Sequence, residues 1–178
     1  MGQKHYTQHG AFHVTTNVHW DIPWCTVPGI PQILIARMFE CRTFYAGKLY
    51  AFCVLPDHVH MIINPGRPGL STFVQMFKSN AMRDVHTLLR SRPVNKDICM
   101  TNPQPGLIRV DDKVSATMSA IRWKKGFFVR EISGERQWDA TMSYVQRNGV
   151  RHGLASDVSR WPWSSLHYRE KIDWHEAY

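Results

Sequence analysis

Lys48-Leu49-Tyr50-Ala51-Phe52-Cys53-Val54-Leu55-Pro56-Asp57-His58-Val59-His60-Met61-Ile62-Ile63-Asn64, residues 48–64, is the stretch that decides the fold. Two apolar runs, Lys48 to Leu55 and His58 to Asn64, flank Pro56-Asp57, a dipeptide suited to a tight turn, and together read as two hairpinned strands. Side chains alternate faces along a strand, so His58 and His60 point the same way while Val59 packs into the core. Two imidazoles at that spacing can share one metal ion. A pair of histidines on a solvated strand face is the plainer alternative, and a second element far downstream weighs against it.

Phe12, Val14, Thr16 and Val18 alternate with His13, Thr15, Asn17 and His19, the pattern of a half-buried first strand. A Pro-rich loop spans Asp21 to Pro31. From Gln32 to about Thr43, Ile33, Leu34, Ile35, Met38 and Phe39 fit a helix packed on a sheet. Leu70 to Arg90 predicts a second helix, with Leu70, Phe73, Val74, Phe77, Ala81, Val85 and Leu88 as its apolar stripe. Residues 91–120 lack periodicity and read as a long loop or insertion, a length unusual enough to suggest mobility or ligand contact. Ile121 to Ile132 predicts a further strand, Glu135 to about Asn148 a third helix, and residues 155–178 a tail returning through Trp161-Pro162-Trp163-Ser164-Ser165. Trp161 and Trp163 read first as anchors of that tail. The order is βαββαβ: an α+β, ferredoxin-like sandwich on an antiparallel sheet, with an added C-terminal helix.

At 178 residues, with 43% hydrophobic and 20% charged residues, the chain suits one domain spanning 1–178. A net charge of +8 and a pI near 9.6 favour a polyanionic partner, nucleic acid before membrane. Seven Trp, six Tyr and eight Phe add rings on which unpaired bases can stack. Cys25, Cys41, Cys53 and Cys99 form no CxxC pair, and Cys41 and Cys53 lie in apolar stretches as small buried hydrophobes. No apolar run reaches ~18 residues and no leader-like segment opens the chain, so a cytoplasmic, nucleoid-associated setting is expected.

The downstream element is Tyr144-Val145-Gln146-Arg147-Asn148. Tyr144 and Asn148 lie four apart on the expected helix, on one face about a turn apart. If that face meets the sheet near His58 and His60, phenol and amide converge on the imidazoles. Two imidazoles, one side-chain oxygen and open positions suit Mn²⁺ or Mg²⁺ acting on a phosphodiester; zinc would need a third strong protein ligand, and none is obvious. Tyrosine has its own logic as a nucleophile. Its phenol, with an ordinary pKa of about 10, needs activation. The phosphotyrosine it forms keeps a good leaving group, so a 3′-hydroxyl can rejoin the strand without ATP. Tyr144 as a packed aromatic, and Asn148 as a helix-terminal residue before Gly149, are the structural alternatives.

Lys78 and Arg83 occupy the polar face of the second helix, either solvated or steadying a phosphate. Arg122, Lys124, Lys125, Arg130, Arg147 and Arg151 suit contacts to DNA backbone rather than bases. His13, Thr15 and Asn17 share one face of the first strand, bordering the site or meeting solvent.

Four blocks, in order, resemble the single-tyrosine HUH endonucleases, above all the REP-associated tyrosine transposases and their insertion-sequence relatives. They are Phe12 to Thr15, Leu55 to Met61, Trp123 to Phe128, and Tyr144 to Leu154 followed by Trp161 to Ser165. Together they reach from about residue 11 to 168, with 91–120 outside. The resemblance implies that His58, His60 and Asn148 bind the divalent metal and that Tyr144 attacks DNA to form a 5′-phosphotyrosine link. It implies a single-stranded DNA substrate carrying a small hairpin, such as a repetitive extragenic palindrome. It also implies a monomer, the alternative being a homodimer that sets one chain's Tyr144 against the other's histidines. Two positions depart from the pattern: Gly149 stands where proline is usual, and Phe128-Val129-Arg130 replaces a more polar sequence. A DNA-hairpin binder with little or no catalysis, and a phosphohydrolase using water, are the competing functions.

Overall fold

The computed structural model describes residues 10–91 and 121–173. Cys99 and nearly all of the expected 91–120 loop lie outside the described residues, as do residues 1–9 and 174–178. Strand β1 (Ala11–Asn17) leads to α1 (Ile30–Phe44), β2 (Lys48–Val54), β3 (His58–Asn64), α2 (Leu70–Ser91), β4 (Phe128–Ile132), α3 (Glu135–Gln146) and a short α4 (Asn148–Arg151). The sheet is antiparallel in the order β2-β3-β1-β4. That order and the βαββαβ sequence give the α+β sandwich expected from the pattern.

The two faces of the sheet carry different partners. On one, Phe12, Val14, Phe52, Val59, Met61 and Ile63 join Leu34 and Met38 of α1 and Phe73, Val74 and Phe77 of α2 in the main core. On the other, Tyr50, Cys53, Leu55 and Ile62 meet Trp138 and Val145 of α3 and Trp161 of the tail. Covering on both sides explains why β2 and β3 read as nearly unbroken apolar runs. Strand β1 keeps strict alternation, because its second face is less covered. Pro31 sits in the first turn of α1, where a missing N–H costs nothing, so the helix starts two residues before the expected Gln32. The arginine of Arg37 pairs with Asp84 and Glu40, tying α1 to α2.

Three expected boundaries are corrected. The α2 stripe closes on Leu89, fully turned inward, with Leu88 only packed against its margin. The expected strand from Ile121 is regular only over Phe128–Ile132. Before it, Trp123 makes a single bridge to Val18, and Gly126, at φ 72°, bends the chain out of the extended conformation. Helix α3 stops at Gln146; Arg147 (φ −88°, ψ 0°) marks a slight break before Asn148–Arg151 resumes the turn.

The tail closes the outer edge of β2. Val54 N donates to Trp163 O (2.9 Å), Cys53 bridges Ser164, and Leu49 and Asp173 exchange two bonds, at 2.8 and 2.9 Å. An open edge is thereby covered. Cys25, Cys41 and Cys53 are buried thiols, with burial pushing Cys41 up to about 11 and Cys53 to about 12. Among the described residues no helix is long and apolar enough to cross a membrane.

Candidate metal and nucleophile site

The hairpin turn before β3 is fixed by backbone bonds: Leu55 N to His58 O (2.9 Å), Val18 N to Asp57 O (2.8 Å) and Cys25 N to Pro56 O (3.0 Å). It places Asp57 Oδ1 2.6 Å from His58 Nδ1, so the ring N–H at Nδ1 donates there and Nε2 is left for another partner. The β1–β3 register sets Thr15 opposite His60 and Asn17 opposite His58. His60 Nδ1 lies 2.9 Å from Thr15 Oγ1 and 3.1 Å from His13 Nε2. With its Nδ1 engaged, His60 keeps the Nε2 lone pair free. That atom is buried and has no hydrogen-bond partner among the described residues.

His60 is 4% exposed, and burial, reinforced by the neighbouring His58, His13 and His152, pushes its pKa down to about 2. The ring therefore stays neutral at physiological pH and can ligate. The sign for stability follows. An unfolded chain takes up this proton near pH 6.5 and the folded one does not, so the stability of the metal-free protein falls as pH drops below about 6.5. Calorimetric melting between pH 7.5 and 5 checks this, with a lower Tm expected at each acid step.

Trp138 and Val145 seat α3 on the sheet, the Trp138 ring 4.9 Å edge-on to Tyr50. The next turn carries Tyr144, 37% exposed, with its ring centroid 5.4 Å from His60 and 5.7 Å from His13. The Arg151 guanidinium lies over the same ring at 5.0 Å. Asn148 is fully buried; its Nδ2 donates to Tyr144 O (2.7 Å), while its Oδ1 is buried with no partner. The ring of His152 lies 5.1 Å from that of His58.

Two buried acceptors without partners, one imidazole nitrogen and one amide oxygen, are what a divalent cation would satisfy. Asp57 on His58 is the carboxylate–histidine arrangement that orients a ligating ring. Among the described residues no group of three His, Cys, Asp or Glu could hold a metal. An amide oxygen such as Asn148 Oδ1, were it to join the two imidazoles, would fit Mn²⁺ or Mg²⁺ better than zinc.

Gly149 has a local reason. A Cβ there would stand 2.5 Å from Trp161 Cγ, and Trp161 is held by its Nε1 bond to Val54 O (2.9 Å). The tail thus presses on the backbone beside Asn148, leaving no room for any larger residue, proline included. Gly149→Ala is expected to lower stability by about 1–3 kcal/mol, the usual cost of overpacking, read by denaturant midpoint.

The basic residues divide by location. Lys78 and Arg83 ride on α2, on the sheet face opposite the histidines, and are not brought to them. Lys78 Nζ instead donates to Lys124 O and Gly126 O, both at 2.7 Å, tying down the bend before β4. Arg83 is exposed beside Asp84. Arg122 stacks on Trp20 at 4.9 Å and Lys124 pairs with Asp21 at 2.6 Å; both lie at the His58 end of β1, because Lys124 N bonds Asn17 O. Lys125 is exposed. Arg147 faces a separate cleft between α3 and the tail. Arg130, across from His13, lines an open cleft of about 870 Å³ with His13, Tyr144, Arg136 and Thr141. Burial, then the Arg130 charge, lowers the His13 pKa. Of the supporting groups, the sequence marks Asp57 only as a turn residue and does not mark His152; adjacency to His58 is the signal that Asp57 carried.

No family model matches the chain. A curated Haemophilus influenzae protein provisionally named a REP-associated tyrosine transposase is 23% identical over 131 residues, covering 72% of this chain. The aligned part spans 64% of that relative's length. A solved structure of a REP-associated tyrosine transposase bound to a REP hairpin superposes with a TM-score of 0.65 at 19% identity, covering 94% of this chain and 83% of that one. The chain is thus similar in sequence to the first and shares the fold of the second.

Proposed function

We propose that this protein is a metal-dependent single-stranded DNA endonuclease and strand transferase acting beside DNA hairpins through a 5′-phosphotyrosine intermediate. The observation that carries the reading is the Tyr144 ring 5.4 Å from His60, whose buried Nε2 lacks a partner. The likeness to proteins named for REP hairpins supports the substrate class. His58, His60 and Asn148 would hold the cation, Mg²⁺ or Mn²⁺, which supplies Lewis-acid polarisation of a phosphate oxygen.

The chain's own residues do the rest. Asp57 and Thr15 fix the two imidazoles, so the site needs little rearrangement on loading. Tyr144 is exposed enough to reach a phosphate, and its phenolic proton ends, by way of solvent, on the departing 3′-oxygen. The phenolic oxygen bonds to phosphorus, the bond from phosphorus to the 3′-oxygen breaks, and that oxygen leaves as a hydroxyl. Attack by a 3′-hydroxyl on the phosphotyrosine reverses the step and rejoins DNA. Arg151 over the ring and Arg130 in the adjoining cleft offset the negative charge of phosphate and phenolate.

The test is incubation of the protein with end-labelled hairpin-bearing single-stranded DNA and Mn²⁺, followed by a denaturing gel. Label on the fragment 3′ of the cut should migrate with the protein, and EDTA should abolish it. Binding without cleavage would instead leave a hairpin-binding protein, and release of two free DNA fragments a hydrolase.

A further inference from the structure

Phe128 is 74% exposed at the start of a strand whose neighbours Phe127 and Val129 pack against the core. Pairing sets Phe128 opposite Thr15, and Thr15 opposite His60. Opposed residues of antiparallel strands project from the same face, so the ring stands on the face of the histidines. Two interstrand spacings separate it from His60, roughly 10 Å. Helix α3 packs over β2 and β3, leaving this part of β1 and β4 open. Arg130 follows two residues along the same face, and exposed Lys124 and Lys125 precede the strand.

Exposure alone would not single this ring out; its place on the face of the histidines, with Arg130 beside it, does. One ring with Arg130 two residues along its face is too small for a protein-docking patch, and suits an anionic strand presenting flat bases. We propose that Phe128 is the stacking seat for an unpaired DNA base next to the phosphate that Tyr144 attacks, with Arg130 contacting the adjoining backbone. This rests on the strand-transfer reading above and specifies how its single strand is seated.

The experiment measures, by fluorescence anisotropy with Mn²⁺ in a Tyr144→Phe background that prevents cleavage, affinity for hairpin DNA whose flanking nucleotides are replaced one at a time by abasic sites. One abasic position should cost roughly 10-fold with Phe128 present and almost nothing after Phe128→Ala, which itself binds intact DNA roughly 10-fold more weakly. Phe128→Trp should restore binding. Unchanged affinity in Phe128→Ala, or a loss that stays the same at every abasic position, overturns the seat; cleavage by the otherwise wild-type chain then shows that the strand-transfer reading stands. A protein that neither binds nor cuts single-stranded DNA overturns both.

Discussion

Tyr144→Phe is expected to remove covalent DNA attachment entirely while leaving the fold and DNA affinity close to wild type. The change deletes one oxygen from a ring that is 37% exposed and whose contacts with His60, His13 and Arg151 are made by its aromatic face and edge. Among the described residues no hydrogen bond to that oxygen holds the helix. Trp138 and Val145 do so, and they are untouched. The loss should therefore appear in the chemical step alone, at least about 10³-fold in single-turnover cleavage, with melting temperature and anisotropy unchanged. Cleavage that persists at a similar rate would assign the nucleophile to water.

The second large effect concerns the metal. His60→Ala removes a ring whose Nε2 is buried without a partner and whose Nδ1 meets Thr15 and His13. Mn²⁺ affinity, followed by calorimetric titration, should fall roughly 100-fold or more, and cleavage with it. Asp57→Asn tests the outer support. Its 2.6 Å contact orients His58 without belonging to the donor set, and loss of such a partner typically costs about 10–100-fold in affinity. Raising Mn²⁺ should rescue Asp57→Asn but not His60→Ala. Equal rescue of both would mean that His60 supports structure and does not ligate.

Much of this architecture was readable in advance because its signals are local. Alternation in Phe12 to Val18 and the Pro-Asp turn fix strand faces without reference to anything distant, so the shared direction of His58 and His60 followed directly. What escaped depends on contacts far apart in the chain. Helical periodicity marked Lys78 and Arg83 as outward-facing, yet could not say on which side of the sheet α2 lies, and the structure puts them opposite the histidines. Alternation puts Thr15 and His13 on one face, bordering the site or meeting solvent; only the pairing with His60, 45 and 47 residues away, decides for the site. Gly149, a departure from the usual proline, makes sense only beside Trp161, twelve positions on. The expected strand from Ile121 failed because Gly126 and the Lys78 tie impose a bend that apolar content conceals.

The proposed chemistry requires a late-helix phenol and strand-borne imidazoles to serve one phosphate. The most direct measurement is mass spectrometry of tryptic peptides after reaction with hairpin-bearing single-stranded DNA, with and without Mn²⁺. The account predicts a nucleotide phosphate on the peptide containing Tyr144, formed only with metal and only when His58 and His60 are both present. A modified residue elsewhere, or the same adduct in EDTA, would contradict it.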